Sequence, residues 1–530
     1  MKIEGLSLLG PARGQRGGKK FTATNPASGE ALPEEFHSAA GEEVEAAAQL
    51  AAEAFTVFSQ FGGRKRAALM NRIAELLEVH EEAIVTRANL ETALPVARLQ
   101  GELARTCFQL RFYGEAAATG LGSGARIDHA DPGRKPQPKP DLRSLLRPLG
   151  PVAVFGSSNF PLAYSVAGGD TASALAAGCP VIVKAHPAHP GTSEITGTLV
   201  QRAVREMGAP AGIFSLLFDN GFEIGAALTK HPLVKAVGFT GSWRGGRALM
   251  DLAAARPEPI PVFAEMSSIN PVFILPEMLR QKPEELAAGL HASGTLDVGQ
   301  FCTNPGLVFV TAGEAAKIFL QKLESLMGAT SPGTMLTAGI CAAYRAGVEK
   351  FSRVPGVRHH TPRIQKVTGA AGDSQADTAL FVTDEKTFLA NPGLMDEVFG
   401  PSTLVVECAS ARDMPVIAGK LRGQLTATVH ATMKELAANH ELVALLETKA
   451  GRLIFNGFPT GVEVCHAMTH GGPYPATADG RSTSVGTRAI ERFLRPVSFQ
   501  NFPDAALPDE LKEANPLGIW RMVDGKGKFK

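Results

Sequence analysis

The chain of 530 residues is long enough for about two to four domains. Its 53 Lys and Arg residues nearly balance its 52 Asp and Glu residues, so the formal net charge of +1 argues against a nucleic-acid partner or an anionic membrane surface. Hydrophobic residues make up 44% and charged residues 20%, as in ordinary globular domains, which excludes a largely disordered chain. The six cysteines show neither a C-x-x-C pair nor zinc-ligand spacing, so we expect a reduced cytoplasmic protein without a bound metal.

Helical patterns dominate the first 120 residues, where apolar side chains recur at helical spacing over residues 41–58 and 64–78. The proline-rich segment 131–140 predicts an exposed loop or hairpin tip. Asp170 is the one charged residue in segment 148–183, which is long enough to cross a membrane. Glycines and prolines divide that segment into strand, loop, helix and strand, so we predict no membrane span.

From residue 150 onward, short apolar runs alternate with helical stretches, which is typical of parallel sheets covered by helices. The first series of predicted strands is 152–155, 181–183, 213–217, 236–239, 262–263 and 272–274. The second series is 306–310, 381–382, 402–406, 426–430 and 452–456, and an edge strand is predicted near 497–502. We therefore predict an α/β fold of two units with a ligand cleft between them.

Three polar residues stand where chemistry could take place. Cys302 lies in a polar loop before a predicted strand, where backbone amides could lower the thiol pKa; a buried structural cysteine is the alternative. Glu265 ends an apolar strand, and burial should raise its pKa toward that of a general base; a surface acid is the alternative. Asn159 follows a predicted strand and could donate to an oxyanion, although asparagine is also an ordinary turn residue.

A glycine-containing turn at 239–246 follows one predicted strand and opens a predicted helix. Glycine lets the backbone approach a pyrophosphate, and the helix N-terminus supplies amide donors to it. The spacing is not G-x-G-x-x-G, so on its own this turn indicates a dinucleotide site only weakly.

Taken together, these motifs resemble the aldehyde dehydrogenase superfamily over nearly the whole chain. The segments that carry the resemblance are NFPL at 159–162, GCPVIVK at 178–184, FTGS at 239–242, Glu265, GQFCT at 299–303 and EVFGP at 397–401. The resemblance implies that Cys302 attacks an aldehyde, that Asn159 and the Cys302 amide stabilise the oxyanion, and that Glu265 activates water to hydrolyse a thioester.

The resemblance also implies a division of the chain into four structural parts and a homodimer or homotetramer. The expected parts are a Rossmann-type dinucleotide-binding domain (1–124 and 149–262), an α/β catalytic domain (263–480), a small β oligomerisation element (125–148 and 481–505) and a C-terminal tail (506–530). The residues it places around the cofactor are Lys184, Gly241, Ser242, Glu397 and Phe399, with Phe155 and His186 beside them.

The cofactor preference follows from one position after Lys184. NAD-dependent relatives commonly carry an acid three residues beyond this lysine, whereas this chain has Pro187 there, and an acid would repel a 2′-phosphate. We therefore expect NADP to be preferred, with NAD also possible.

Departures from the common family pattern resemble one branch of the superfamily, the 2,5-dioxovalerate (α-ketoglutarate semialdehyde) dehydrogenases. Met266, Ser267 and Ser268 replace a Leu-Gly-Gly sequence after Glu265, which should narrow the space beside the base. Such a substrate carries a carboxylate, for which Arg105 and Arg111 are candidates; solvated surface arginines are the alternative. A long-chain fatty aldehyde would instead need an apolar tunnel. The candidate residues for the substrate passage are Phe160, Phe301, Thr303 and Phe458.

Two further functions stay open at this stage. A CoA-acylating aldehyde dehydrogenase would use a thiol instead of water, but that branch usually lacks the base at Glu265. A non-catalytic relative would be expected to lose Cys302, which is present. No context like that of papain-type hydrolases surrounds any cysteine.

Overall fold

The computed structural model describes residues 1–360 and 373–528. Residues 361–372 of the expected catalytic domain and 529–530 of the expected tail lie outside the described residues. The elements up to residue 265 are, in chain order, β1 (Leu8–Leu9), β2 (Ala12–Arg13), β3 (Lys20–Thr24), β4 (Ala31–His37), α1 (Gly41–Phe58), α2 (Gly63–Val79), α3 (Glu81–Thr92), α4 (Val96–Ala118), β5 (Arg126–Asp128), β6 (Leu142–Pro148), β7 (Val152–Phe155), α5 (Gly169–Ala177), β8 (Val181–Lys184), α6 (Pro190–Glu206), β9 (Phe214–Leu217), α7 (Glu223–Lys230), β10 (Ala236–Thr240), α8 (Trp243–Ala254) and β11 (Val262–Glu265).

The later elements are β12 (Val272–Ile274), α9 (Pro276–Gln281), α10 (Pro283–Thr295), β13 (Leu307–Thr311), α11 (Glu314–Ala329), β14 (Gly333–Thr334), α12 (Ala338–Ser352), β15 (Arg358–His359), β16 (Gln375–Ala376), β17 (Ala379–Asp384), α13 (Glu385–Ala390), β18 (Ser402–Cys408), α14 (Asp413–Lys420), β19 (Gln424–His430), α15 (Met433–Ala438), α16 (His440–Glu447), β20 (Ala450–Phe455), β21 (Leu494–Gln500), β22 (Arg521–Val523) and β23 (Lys526–Lys528). The α/β fold class predicted from the sequence is confirmed.

The first sheet has seven strands in the order β11-β10-β7-β8-β9-β1-β2, and β7 to β11 run parallel. Both faces of this sheet are buried. In β7, Val152 and Val154 point into a core shared with α2, α4 and α6, whereas Ala153 and Phe155 point into a core shared with α1 and α7. This explains why β7 is a continuous apolar run without alternation.

The second sheet repeats this arrangement with the order β15-β17-β18-β13-β12-β19-β20. Leu307 and Phe309 of β13 face one core, and Val308 and Val310 face the other. All neighbouring pairs in it are parallel except β15 with β17. The predicted second series of strands is therefore present, with β13 shifted by one residue and the other strands longer than predicted. Strand β12 needs correction, because the sequence analysis placed 272–274 in the first series, whereas β12 pairs with β13 and β19 of this second sheet.

A third sheet has five strands in the order β21-β6-β5-β22-β23. It contains the predicted hairpin, whose tip at 131–140 is mostly exposed, and the predicted C-terminal edge strand. Segment 506–530, expected as a tail, contributes β22 and β23 to this sheet, with β22 parallel to β5.

Two other expectations need correction. Strands β1 and β2 join the first sheet and β3 pairs with β4, so the N-terminal region is not helical before residue 41. Strand β11 continues to Glu265 in parallel pairing with β10, so the first sheet extends past the expected boundary at 262. Segment 148–183 forms β7, a loop, α5 and β8 as predicted, and no described helix combines the length and apolar character that a membrane span requires.

Candidate active site

The carboxyl ends of the parallel strands in the first sheet meet at one edge. Phe155 lies opposite Lys184 and Phe239, and Thr240 lies opposite Glu265, so these strands end together. The chain runs from β7 outward to β9 on one side and then resumes at β10 on the other. Ligands bind in doubly wound sheets at the crevice that such a reversal creates.

The amino ends of β12, β13 and β18 in the second sheet carry the other half of the site. Val272 pairs with Val308, and Leu307 pairs with Leu404, so the loops before these strands lie side by side. These loops contain Cys302 and Glu397. The sequence therefore brings the expected nucleophile and the expected cofactor-binding acid to one place.

Cys302 lies in a loop, residues 297–304, that we call the nucleophile loop. Its first part is strained, since Asp297 and Val298 have φ values of +46° and +59°. Arg98 of α4 holds Asp297 with an ion pair of 2.8 Å and also donates to the backbone oxygen of Asn159 at 3.2 Å. The side-chain amide of Asn159 donates to the carbonyl of Gln300 at 3.0 Å. Arg98 thus connects the predicted oxyanion donor to the loop of the predicted nucleophile.

Cys302 is half-buried as a residue, and its Sγ lies 3.5 Å from Nε2 of His470. Burial of the sulfur, followed by the charge of Glu265, raises the pKa of the Cys302 thiol well above its ordinary value. The expectation of a lowered thiol pKa is therefore wrong for this arrangement. The thiol remains protonated here, and a nearby group must accept its proton before it attacks.

Glu265 is buried, and its Oε1 lies 3.0 Å from Nε2 of His470 while its Oε2 accepts a hydrogen bond of 3.1 Å from the Ser484 hydroxyl. Burial alone would raise the pKa of Glu265. The positive charge of His470 and hydrogen bonds from His470, Cys302 and Ser484 outweigh that effect, so the pKa is lowered. The expectation of a raised pKa was wrong because it considered burial without these partners. Glu265 is therefore a carboxylate, ready to accept a proton.

His470 is the site residue that the sequence did not reveal. It lies 168 residues beyond Cys302, in a segment without regular secondary structure, and no local motif marks it. Its backbone is fixed by a hydrogen bond of 2.8 Å from its amide to Thr483 Oγ1 and by one of 2.8 Å from the Ser484 amide to its carbonyl. The sequence held one signal for His470, the pair Gly471 and Gly472 that follows it. In the structure both glycines pack so tightly that a Cβ on either would overlap neighbouring backbone.

The donor atoms of Glu265, Cys302 and His470 all lie within 4.8 Å of one another. Sulfur, imidazole nitrogen and carboxylate oxygen are zinc ligands, so this triangle has the chemistry to hold such an ion. The same three groups are a nucleophile, a carboxylate and an imidazole that contacts both. In that role the Glu265 carboxylate can remove the thiol proton and later one from water.

The serines that replace the usual glycines after Glu265 rigidify this region. The buried Ser268 hydroxyl lies 2.9 Å from Asn270 Oδ1 and 3.0 Å from Gln424 Oε1, and it accepts a hydrogen bond of 3.0 Å from the Leu425 amide. Asn270 in turn donates to the carbonyl of Cys302 at 2.8 Å. Ser268 therefore helps to hold the nucleophile loop and does not merely narrow the space beside the base.

Helix α8 presents its N-terminus at the expected cofactor site. Ser242 caps the helix by accepting a hydrogen bond of 3.2 Å from the Gly245 amide, and both Gly241 and Ser242 are exposed. A Cβ on Gly241 or on Gly245 would lie 2.7 or 2.8 Å from the ring of Phe239. Because glycine has no Cβ, a ligand can approach the backbone amides closely at these positions, which fits the pyrophosphate of a dinucleotide.

Three other expected cofactor residues lie nearby on the first sheet. Lys184 is buried and donates to the carbonyl of Asp219 at 3.0 Å, and burial lowers its pKa. Phe155 packs edge-on against Phe239. Burial, together with His189 and Lys184, holds the pKa of His186 well below its usual value, so this imidazole is neutral.

Glu397 and Phe399 line a narrow cavity with Ser268 and Phe301, next to the nucleophile loop. Burial raises the pKa of Glu397 to about 7, and hydrogen bonds from Ser267 and the Ser268 amide partly oppose this rise. The Ser267 hydroxyl also accepts a hydrogen bond of 3.4 Å from the Trp243 amide at the start of α8. Ser267 therefore links the two parts of the expected cofactor site.

The substrate residues predicted from the sequence separate into two groups. Phe160 packs against Phe301, the neighbour of Cys302, with ring centroids 5.5 Å apart, and Thr303 is buried beside them. Phe458 instead packs against His430 and next to Gly289 of α10. The two arginines also differ.

Arg111 is exposed and forms a bidentate ion pair with Glu78 at 2.5 and 2.8 Å, so it faces away from the site. Arg105 contacts Tyr164, whose ring packs against Phe160 on one side and lies 6.3 Å from that of His470. Of the two predicted cations, Arg105 is thus the one that the structure brings toward Cys302.

Comparison with known proteins identifies relatives along the whole chain. The profile described as "Aldehyde dehydrogenase family" matches residues 13–496. The chain is 49% identical over 529 residues to alpha-ketoglutaric semialdehyde dehydrogenase 2 of Azospirillum brasilense, covering 100% of each chain. It is 46% identical over 493 residues to alpha-ketoglutaric semialdehyde dehydrogenase of Acinetobacter baylyi, covering 92% of each.

Solved structures share the fold. A mutant of aldehyde dehydrogenase C from Pseudomonas syringae, complexed with NAD+ and octanal, superposes with a TM-score of 0.79 at 21% identity, covering 95% of this chain and 98% of that chain. The NADP-dependent glyceraldehyde-3-phosphate dehydrogenase of Bacillus halodurans, complexed with NADP, gives a TM-score of 0.79 at 20% identity, covering 94% and 99%.

Proposed function

Because the chain belongs to the aldehyde dehydrogenase family, we propose that it oxidises 2,5-dioxopentanoate (α-ketoglutaric semialdehyde) to 2-oxoglutarate with a nicotinamide dinucleotide. The observation that carries the proposal is the convergence of a thiol, a carboxylate and an amide donor from Cys302, Glu265 and Asn159 at one cleft. Full-length identity of 49% to an enzyme named for this substrate supports the choice of aldehyde.

In the proposed mechanism, the Glu265 carboxylate accepts the thiol proton, and Cys302 Sγ adds to the aldehyde carbon. The oxygen that becomes negative receives hydrogen bonds from the Asn159 side-chain amide and the Cys302 backbone amide. A bound dinucleotide supplies the acceptor for the hydride whose loss leaves Cys302 as a thioester. Glu265 releases the thiol proton to solvent and then takes a proton from water, which attacks the thioester carbon. The carboxylate product leaves, and the departing sulfur regains a proton from Glu265.

A panel of aldehydes tests this function. We expect kcat/KM to be highest for 2,5-dioxopentanoate, lower for pentanal and lowest for dodecanal, with 2-oxoglutarate as product whether or not CoA is added. Higher kcat/KM for dodecanal would favour a fatty aldehyde dehydrogenase, and a requirement for CoA would identify an acyl-transfer enzyme. Either result would overturn the proposal.

For the cofactor, we propose that NADP is preferred and NAD is also used. Support comes from Lys184 and from Pro187, which leaves no acid at the position three residues after that lysine. The fold neighbours include complexes with either dinucleotide, so they do not decide between them. The test is kcat/KM for NADP+ and NAD+ with the same aldehyde, and a preference for NAD+ would contradict this assignment.

We also propose that the protein is a cytoplasmic homodimer or homotetramer, assembled through the third sheet. All six cysteines are free, as expected in a reducing compartment, and β21 forms an open edge of that sheet. Sedimentation as a dimer or tetramer at micromolar concentration is the expected result. A monomer would refute the assembly.

A further inference from the structure

Two arginines near the nucleophile have no acidic partner. Arg105 of α4 donates to the carbonyl of Val462 and to the Tyr164 hydroxyl, the latter at 3.4 Å. Arg452 of β20 donates to the carbonyls of Gly461 at 3.0 Å and Pro459 at 2.7 Å. Both guanidinium groups therefore bind the same short loop, residues 459–462. We call Arg105 and Arg452 the arginine pair.

The arginine pair is unneutralised among the residues that the structure describes. Neither arginine forms an ion pair there, and the Nε of each is buried without a hydrogen-bond partner. Glu463, the adjacent acid on the loop, turns its carboxylate to the Val464 amide at 2.8 Å. Each partly buried guanidinium has only neutral partners, so an anion bound to it would lower the cost of burying its charge.

Arg105 reaches the catalytic cleft through Tyr164, and Arg452 binds the same loop, 459–462, as Arg105 does. Burial lowers the pKa of Arg452, and the charges of Cys302 and Tyr164 oppose this effect. Tyr164 connects the two ends of the cleft: its ring lies beside His470, which touches Cys302, and its hydroxyl contacts Arg105.

From this arrangement we propose that Arg105 and Arg452 together bind the distal carboxylate of an anionic aldehyde while Cys302 attacks its other end. The proposal rests on the proposed function and names the residues that set its substrate class. Guanidinium groups suit the task because they bind a carboxylate through two parallel hydrogen bonds and stay charged when partly buried. An alkyl chain would leave both charges unpaired, so the same pair disfavours fatty aldehydes.

The test measures kcat/KM for 2,5-dioxopentanoate divided by that for pentanal, an uncharged aldehyde of equal length. We expect Arg105→Gln and Arg452→Gln each to lower this ratio by about 10- to 100-fold. Arg111→Gln is the matched control, since Arg111 lies on the same helix but pairs with Glu78 at the surface, and it should leave the ratio unchanged. An unchanged ratio in both pair variants, confirmed as folded by thermal melting, would overturn the proposal.

A second measurement covers the case in which loss of an arginine unfolds loop 459–462. Glutarate should inhibit the wild-type enzyme competitively with 2,5-dioxopentanoate, whereas glutaramide, which has the same length but no charge, should not. Equal inhibition by both would also overturn the arginine assignment. Failure of the proposed function looks different: the wild-type enzyme would then show no preference for 2,5-dioxopentanoate over pentanal.

Discussion

Replacing His470 by glutamine tests how the buried charges of the site are balanced. Nε2 of His470 lies 3.0 Å from Oε1 of Glu265, and the side chains are only 1% and 2% exposed. The charge and hydrogen bond of His470 lower the pKa of Glu265 against the opposing effect of burial. In His470→Gln the hydrogen bond can remain while the charge is lost, so burial would dominate and the pKa of Glu265 would rise.

The assay is the pH dependence of kcat for aldehyde oxidation between pH 5 and 9. Glu265 can accept a proton only when ionised, so activity falls as the pH drops through its pKa. The acid limb of the profile should therefore move upward by about 1 to 3 pH units in His470→Gln. Ser484→Ala is the control, because it removes only a neutral hydrogen bond to Glu265 and should move the limb less. Superimposable profiles for His470→Gln and wild type would refute the reasoning.

Two further predictions concern the cofactor acid and the support of the nucleophile loop. Burial raises the pKa of Glu397 to about 7, so the carboxylate that we expect to contact the cofactor becomes protonated below pH 7. KM for NAD(P)+ should therefore rise by up to about tenfold per pH unit below pH 7, and Glu397→Gln should abolish this dependence. A flat wild-type profile would contradict the role. Arg98→Met leaves Glu102, which is buried, and Asp297 without their cation. The free energy of unfolding measured in urea should therefore fall by about 3 to 5 kcal/mol. Single-turnover kinetics should show a slower acylation step. A loss below about 0.5 kcal/mol with normal acylation would contradict it.

Sequence patterns predicted the two parallel sheets because their strands are buried on both faces and appear as continuous apolar runs. They missed β1 to β4, where short strands carry polar residues between apolar ones, and β22 and β23, whose place depends on pairing with distant β5. Pairing of this kind is a tertiary property that local propensity does not contain. The expected domain boundary at residue 262 was misplaced for the same reason, because local sequence does not contain the pairing of β11 with β10 up to Glu265.

For the site, motifs predicted Cys302, Glu265 and Asn159 because each stands beside a strand end in a distinctive local sequence. His470 escaped prediction because an isolated histidine in an irregular segment carries no periodicity, and only the fold brings it to Cys302. Missing His470 also explains why the predicted pKa direction of Glu265 was wrong. Arg105 and Arg111 look alike in sequence, yet only Arg111 pairs with Glu78. The two residues are far apart along the chain, so this ion pair is visible only in the folded structure.

The most direct test of the account is to trap the covalent intermediate. In Glu265→Gln no carboxylate activates water and the thiol proton must leave to solvent, so mixing enzyme, 2,5-dioxopentanoate and NADP+ at about pH 9 should give a single, slower burst of reduced cofactor. The enzyme should then carry the mass of the substrate less two hydrogens at Cys302. Peptide mass spectrometry locates the adduct, and Cys302→Ala should show neither burst nor adduct. An adduct on another cysteine, or undiminished turnover by Cys302→Ala, would contradict the central claim that this thiol is the nucleophile.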